Sequence, residues 1–132
     1  MILPLEKPMR LGDVQSSFKR KYPFLKLEFF DRPQTRQNGN RPKLQPDFKM
    51  KALAGKETNE PLRIYPWTTV RTLKEQFFQL FGLYACVYRR RGYEWTETDR
   101  TEGLCLKDQN ELGQKSIYEY RDSLQMEKEA LL

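Results

Sequence analysis

The sequence predicts an α+β fold in which a mixed or antiparallel sheet carries helices on one face. Three observations lead there. The segment Leu11–Phe29 aligns without gaps on Val70–Tyr88, at an offset of 59 residues. Each copy changes period from about 3.6 to 2, the mark of a helix feeding directly into a strand. The second copy then runs into a hairpin signal, and hairpin-linked strands pair antiparallel.

The elements follow in chain order within one domain, 1–132. Residues 10–30 form the first helix–strand unit. Val14, Phe18 and Tyr22 recur at i, i+4 and i+8 as one apolar stripe, Asp13 stands at the N-cap position and Pro23 ends the helix. Leu25, Leu27 and Phe29 alternate with Lys26 and Glu28, a half-buried strand with one wet face. Residues 31–46 read as a loop, because Arg-Pro-Gln-Thr-Arg-Gln-Asn-Gly-Asn-Arg-Pro has little apolar area to bury. Residues 47–113 read as a β-grasp-like unit, with a ferredoxin-like sandwich as the competing arrangement. It opens with strands over 48–53 and 62–65. In its helix Leu73, Phe77 and Phe81 form the stripe, Thr72 and Glu75 fit a capping box and Gly82 takes the C′ position. By alignment with the first copy, Tyr84, Cys86 and Tyr88 face inward. Arg89-Arg90-Arg91-Gly92 then turns the chain into a strand over Tyr93–Glu97, with Gly92 supplying a positive φ. A helical turn is expected over 109–112. An acidic amphipathic helix is expected over 116–131, with Tyr120 and Leu124 on one side.

Composition removes several functions. The chain has 132 residues, no histidine and two cysteines, which excludes a Ser-His-Asp triad, a Cys-His pair and a Cys/His zinc site. Two cysteines do not make the multi-bridge framework of a small secreted domain. The longest uncharged apolar stretch, Phe77–Tyr88, is 12 residues and too short to cross a bilayer. No secretory leader opens the chain, so a cytoplasmic location is the expectation. Residues 1–91 carry 19 basic and 8 acidic side chains, whereas 92–132 carry 5 basic and 10 acidic. A basic body beside an acidic end is either self-complementary or offers a basic surface to a polyanion.

The run Thr72-Leu-Lys-Glu-Gln-Phe77-Phe-Gln-Leu-Phe81-Gly-Leu-Tyr-Ala-Cys-Val-Tyr88 is followed by Gly92-Tyr-Glu-Trp95 and by Leu106-Lys-Asp-Gln109-Asn110-Glu-Leu-Gly113. These three ordered motifs resemble a family of small, uncharacterised bacterial proteins. That family carries a T-L-x-x-x-F-x-x-x-F-G-L-x-x-x-V-Y unit, a G-x-x-W hairpin and an L-x-x-Q-N-x-x-G stretch. The resemblance spans roughly residues 10–115, departs between Thr96 and Cys105, and implies a fold without implying a chemistry.

The sharpest functional candidate is the basic hairpin. Arg89, Arg90 and Arg91, flanked by Tyr93 and Trp95, offer guanidiniums for phosphates and aromatic faces for unpaired bases. Lys19 and Lys21 at the end of the first helix add to that field if the fold brings them near. Cations in a last helical turn also complement the helix dipole without any ligand. No complete RNA- or DNA-binding motif accompanies them. Cys86 reads as core. Glu94, Glu97, Asp99 and Glu102 match no calcium-loop spacing and read as solvated acids. Phe78 and Phe30 fall off the apolar stripes. Either they form an exposed interaction patch or they pack under a terminal segment. The reading is therefore a non-catalytic protein-interaction module needing no metal or cofactor, with an unidentified protein partner. A nucleic-acid-binding accessory protein using the hairpin is the alternative.

Overall fold

The computed structural model describes residues 1–33 and 41–131, and it is α+β, with three helices against small antiparallel sheets. The 34–40 part of the expected loop lies outside the described residues. Strands β1 (Ile2–Leu3) and β2 (Met9–Arg10) precede helix α1 (Leu11–Lys21) and strand β3 (Leu25–Phe30). Short strands β4 (Lys49–Met50) and β5 (Leu62–Arg63) lead to helix α2 (Val70–Phe81) and the hairpin β6 (Tyr84–Arg91) and β7 (Glu94–Glu97). A 3₁₀ turn at Asp99–Thr101 then leads into helix α3 (Leu106–Ala130). The expected strands over 48–53 and 62–65 shorten to β4 and β5. They pair with β2 and β1 respectively, not with one another.

The helix starts are capped differently from the sequence expectation. α2 starts one turn early, with Thr69 as N-cap and its side chain accepting from the Thr72 N–H at 3.1 Å. α1 begins at Leu11, so Asp13 sits inside the first turn. There the main chain of a neighbouring loop does the capping. Leu11 N–H donates to the Phe48 carbonyl and Gly12 N–H to the Pro46 carbonyl, both at 2.9 Å. α3 is capped the same way, by the Thr68 and Pro66 carbonyls.

The main sheet has the order β3-β6-β7, antiparallel throughout. Its inner face presents Leu25, Leu27, Phe29, Ala85 and Val87 to one core with Val14 and Phe18 of α1, Leu73 and Phe77 of α2, and Leu106 of α3. Phe77 meets Phe29 edge-on at 4.9 Å. The expected inward set Tyr84, Cys86 and Tyr88 points the other way. α1 reaches its strand through Tyr22, Pro23 and Phe24, whereas α2 turns on Gly82 (φ +68°) and Leu83 alone. The shorter connection shifts the inward phase of the second strand by one residue, and a one-residue slip exchanges the two faces.

Two further corrections concern the hairpin and α3. All three arginines 89–91 belong to β6. The turn itself is Gly92-Tyr93, with Gly92 at φ +63°. The expected helical turn at 109–112 and helix over 116–131 are one continuous helix running through Gly113. Gly113 is there for closeness of approach. A Cβ at that position would lie 2.9 Å from both Cβ and the carbonyl oxygen of Phe24. Beyond Tyr120 the residues of α3 are exposed. The outer edge of β3 is covered: Gln15 Nε2 donates to the Leu27 carbonyl at 3.0 Å and Leu44 N–H to the Phe29 carbonyl at 2.9 Å. Among the described residues no helix is long and apolar enough to cross a membrane.

Candidate functional site

Cross-strand partners share a face, so the register sorts the basic hairpin residue by residue. Arg89 pairs with Leu25 and Thr96 on the inner, helix-bearing side. Its Nη1 donates to Gln109 Oε1 at 2.7 Å, while Gln109 Nε2 donates to the Thr101 carbonyl at 2.6 Å. Gln109 is fully buried, and its amide joins β6, α3 and the 3₁₀ turn. The Arg89 guanidinium is thus spent on the fold. The rest of the Leu106–Gly113 motif has structural work as well: Leu106 is core, and Asn110 Oδ1 accepts the Phe24 N–H at 2.9 Å.

Arg90 lies on the outer face, paired with Trp95, and its guanidinium carbon is 3.9 Å from the Trp95 ring centroid. The ammonium of Lys26, from β3, stands 5.1 Å from the same ring and 5.1 Å from that of Tyr88. Lys19, from the last turn of α1, stands 5.6 Å from Trp95. The first-helix cluster and the hairpin therefore meet, but only through Lys19 and Arg90. Lys21 goes elsewhere: with Arg20 it borders Met1, Ile2 and Leu3 at the N-terminal strand. Tyr93 packs edge-on against Tyr120 of α3 at 4.9 Å, and Arg91 is exposed.

Crowding of like charges has an electrostatic signature. Burial pulls the Lys26 ammonium below its usual pKa, and Lys43, Lys19 and Arg90 push the same way against the opposing charge of Glu28. Glu28 reaches Lys26 at 3.8 Å and Lys43 at 3.7 Å. Tyr88 is pushed up to about 12 by burial first, and then by Cys86 and Glu97. This end of the outer face is an aromatic floor of Tyr88 and Trp95 under several cations. Lys26 and Lys43 were not singled out from sequence. The only signal for Lys26 was its place on the wet side of β3, and Lys43 sat in a segment read as loop.

The far end of the same face is closed. Phe30 pairs with Tyr84 on the outer side, yet it is 3% exposed, and the Arg41 guanidinium lies 3.7 Å above its ring. That corrects its place in an exposed patch. Phe78 does face solvent, 48% exposed, and leans on Tyr84 at 5.1 Å. Arg41 Nη2 also donates to the Cys86 sulfur at 2.9 Å. Burial raises the Cys86 pKa against the lowering influence of Arg41, so this thiol stays protonated at neutral pH. Cys86 is buried, but on the outer face and outside the core cluster.

The acidic run is engaged in part. Glu102 accepts from Arg71 and Lys74, each at 3.2 Å, and Asp99 lies 3.6 Å from Lys74. Burial works against the Glu102 charge, but the hydrogen bonds from Arg71 and Lys74 outweigh it and hold the carboxyl below its usual range. These pairs tie the 3₁₀ turn to α2. Among the described residues, no group of three or more Cys, Asp or Glu side chains is placed to hold a metal ion. No protein-family model, curated protein or solved structure matches the chain.

Proposed function

We propose that the chain is a non-catalytic binding module whose outer sheet face, at the Trp95 end, takes a polyanion, single-stranded nucleic acid in particular. One observation carries this reading: Lys19 of α1, Lys26 of β3 and Arg90 of β6 converge on the ring of Trp95. Holding like charges together costs free energy that a phosphate backbone would recover, and aromatic rings beside cations suit unpaired bases of any sequence. Trp95 also pre-orients the Arg90 guanidinium by stacking, so less side-chain entropy is lost on contact. A cytoplasmic location belongs to the same proposal.

The test is fluorescence anisotropy of labelled single-stranded DNA, single-stranded RNA and duplex DNA at roughly 50 and 200 mM salt. Micromolar binding of the single strands that falls steeply with salt and is weakened by Arg90→Ala and Trp95→Ala is the expected result. Flat anisotropy at the lower salt, where electrostatics is strongest, overturns the reading. Arg89 is the wrong residue to mutate for this purpose, because its loss leaves the buried Gln109 Oε1 without its donor.

A protein-interaction role is the second reading, favoured by the solvent-facing Phe78 beside Tyr84. It becomes the leading one if no nucleic acid binds.

A further inference from the structure

We propose that the cleft between α1 and the covered edge of β3 is a subsite for a terminal phosphomonoester, the phosphorylated end of the strand taken by the Trp95 face. This rests on the polyanion reading of that face. The cleft is open, about 350 Å³, and its wall includes Gly12, Gln15 and Ser16 of α1, Lys26 and Glu28 of β3, and Lys43. Lys19 stands at the same cleft.

The charge count selects the ligand. The lining holds Lys19, Lys26 and Lys43 against Glu28, a net charge of +2. A phosphomonoester carries about −1.5 to −2 at neutral pH, whereas a bridging phosphodiester carries a single negative charge. The cleft is therefore matched to a chain end better than to a point along the chain. Lys19 and Lys26 belong both to the cleft and to the cluster on Trp95, so a strand on the face enters the cleft without crossing neutral surface. Glu28 holds Lys26 and Lys43 only at 3.8 and 3.7 Å. Contacts that long leave the ammoniums able to turn toward a stronger acceptor. Ser16 adds an exposed hydroxyl, and the cleft is roomy enough to admit the sugar behind the phosphate.

The experiment compares one short oligonucleotide, labelled internally, with a 5′-phosphate, a 3′-phosphate or hydroxyls at both ends. One phosphorylated end binds about tenfold tighter than the hydroxyl-ended strand, and which end does so fixes the polarity of the bound strand. Lys43→Ala brings phosphorylated and hydroxyl-ended affinities together, and Glu28→Gln tightens the phosphorylated strand further. The preference shrinks between about pH 7.5 and pH 5.5, as the phosphate takes up its second proton near pH 6 and loses charge facing Lys19, Lys26 and Lys43. Equal binding of all three oligonucleotides overturns the subsite and leaves the polyanion reading standing. If none binds, the polyanion reading fails, and NMR titration with a nucleoside 5′-monophosphate against the bare nucleoside judges the cleft alone. Shifts of the Gly12, Gln15 and Ser16 amides with the monophosphate only support it, and unmoved amides overturn it.

Discussion

The two helix–strand units, α1–β3 and α2–β6, start from similar sequence patterns and hold their corners by different means. In α2–β6 the turn is made by a glycine, with Leu53 N–H donating to the Leu80 carbonyl beside it at 2.8 Å. Gly82 adopts φ +68° and its N–H returns to the Phe78 carbonyl; at the other end of the helix Thr69 caps the Thr72 N–H, while the Val70 and Arg71 N–H groups donate to the Leu104 and Glu102 carbonyls. The α1–β3 corner depends on distant chain. Phe24 N–H reaches Asn110 of α3, its carbonyl receives the Arg90 N–H at 3.0 Å, and Gly113 packs against it. The start of α1, like that of α2, is met by distant main-chain carbonyls, here those of Pro46 and Phe48. Both helices start against distant main chain, and the difference lies in the turns: the α2–β6 turn closes on Gly82, while the α1–β3 turn takes a hydrogen bond from Asn110 of α3. The second arrangement links the order of β3 to the docking of α3.

The largest effect separating the units comes from their core rings. Phe77→Ala lowers stability by about 3–5 kcal/mol in denaturant unfolding, and Phe18→Ala falls in the lower part of the same range. The ring of Phe77 meets both Phe29 and Phe81, whereas that of Phe18 meets Tyr22. The reverse order would place the centre of the core in the first unit. Next come the corners. Asn110→Ala costs about 1–3 kcal/mol by stranding the Phe24 N–H, and Gly82→Ala about 1–2 kcal/mol through its left-handed backbone. Hydrogen exchange sharpens the contrast. Asn110→Ala accelerates exchange at Phe24 and the start of β3 while sparing the Gly82 corner, and Gly82→Ala stays local. Similar global loosening by both would erase the distinction.

The last effect is confined to alkaline pH. The Tyr88 hydroxyl is held at about 12, above its unfolded value near 10, so the folded state keeps a proton that the unfolded chain releases. Its contribution is complete below about pH 10 and is lost as pH rises from about 10 to 12. Tyr88→Phe removes the last step in the absorbance titration at 295 nm and flattens that part of the stability profile.

What could be read from sequence follows the same division. The α2 stripe of Leu73, Phe77 and Phe81, the Gly82 stop and the wet face of Lys26 and Glu28 were legible because each depends on spacing within a few residues. The inward phase of β6 was not, since it turns on a one-residue difference between two corners. The helix through Gly113 was missed because a glycine reads locally as a break, and only the nearness of Phe24 explains it. The basic hairpin was half legible. Three adjacent arginines are visible in sequence, but alternation along β6 sends Arg89 to Gln109 and Arg90 to Trp95, and the partners come from other elements. Lys43 joins through tertiary folding alone.

The covered edge of β3 bears on assembly. A sheet recruits extended chains through its open edges, and endless stacking needs two of them. With Gln15 and Leu44 occupying the outward carbonyls of Leu27 and Phe29, the β7 side is, among the described residues, the edge of this sheet left to accept a strand. Two copies meeting there edge to edge, about a twofold axis, would consume each other's β7 edge, so strand addition at that edge would end at the pair.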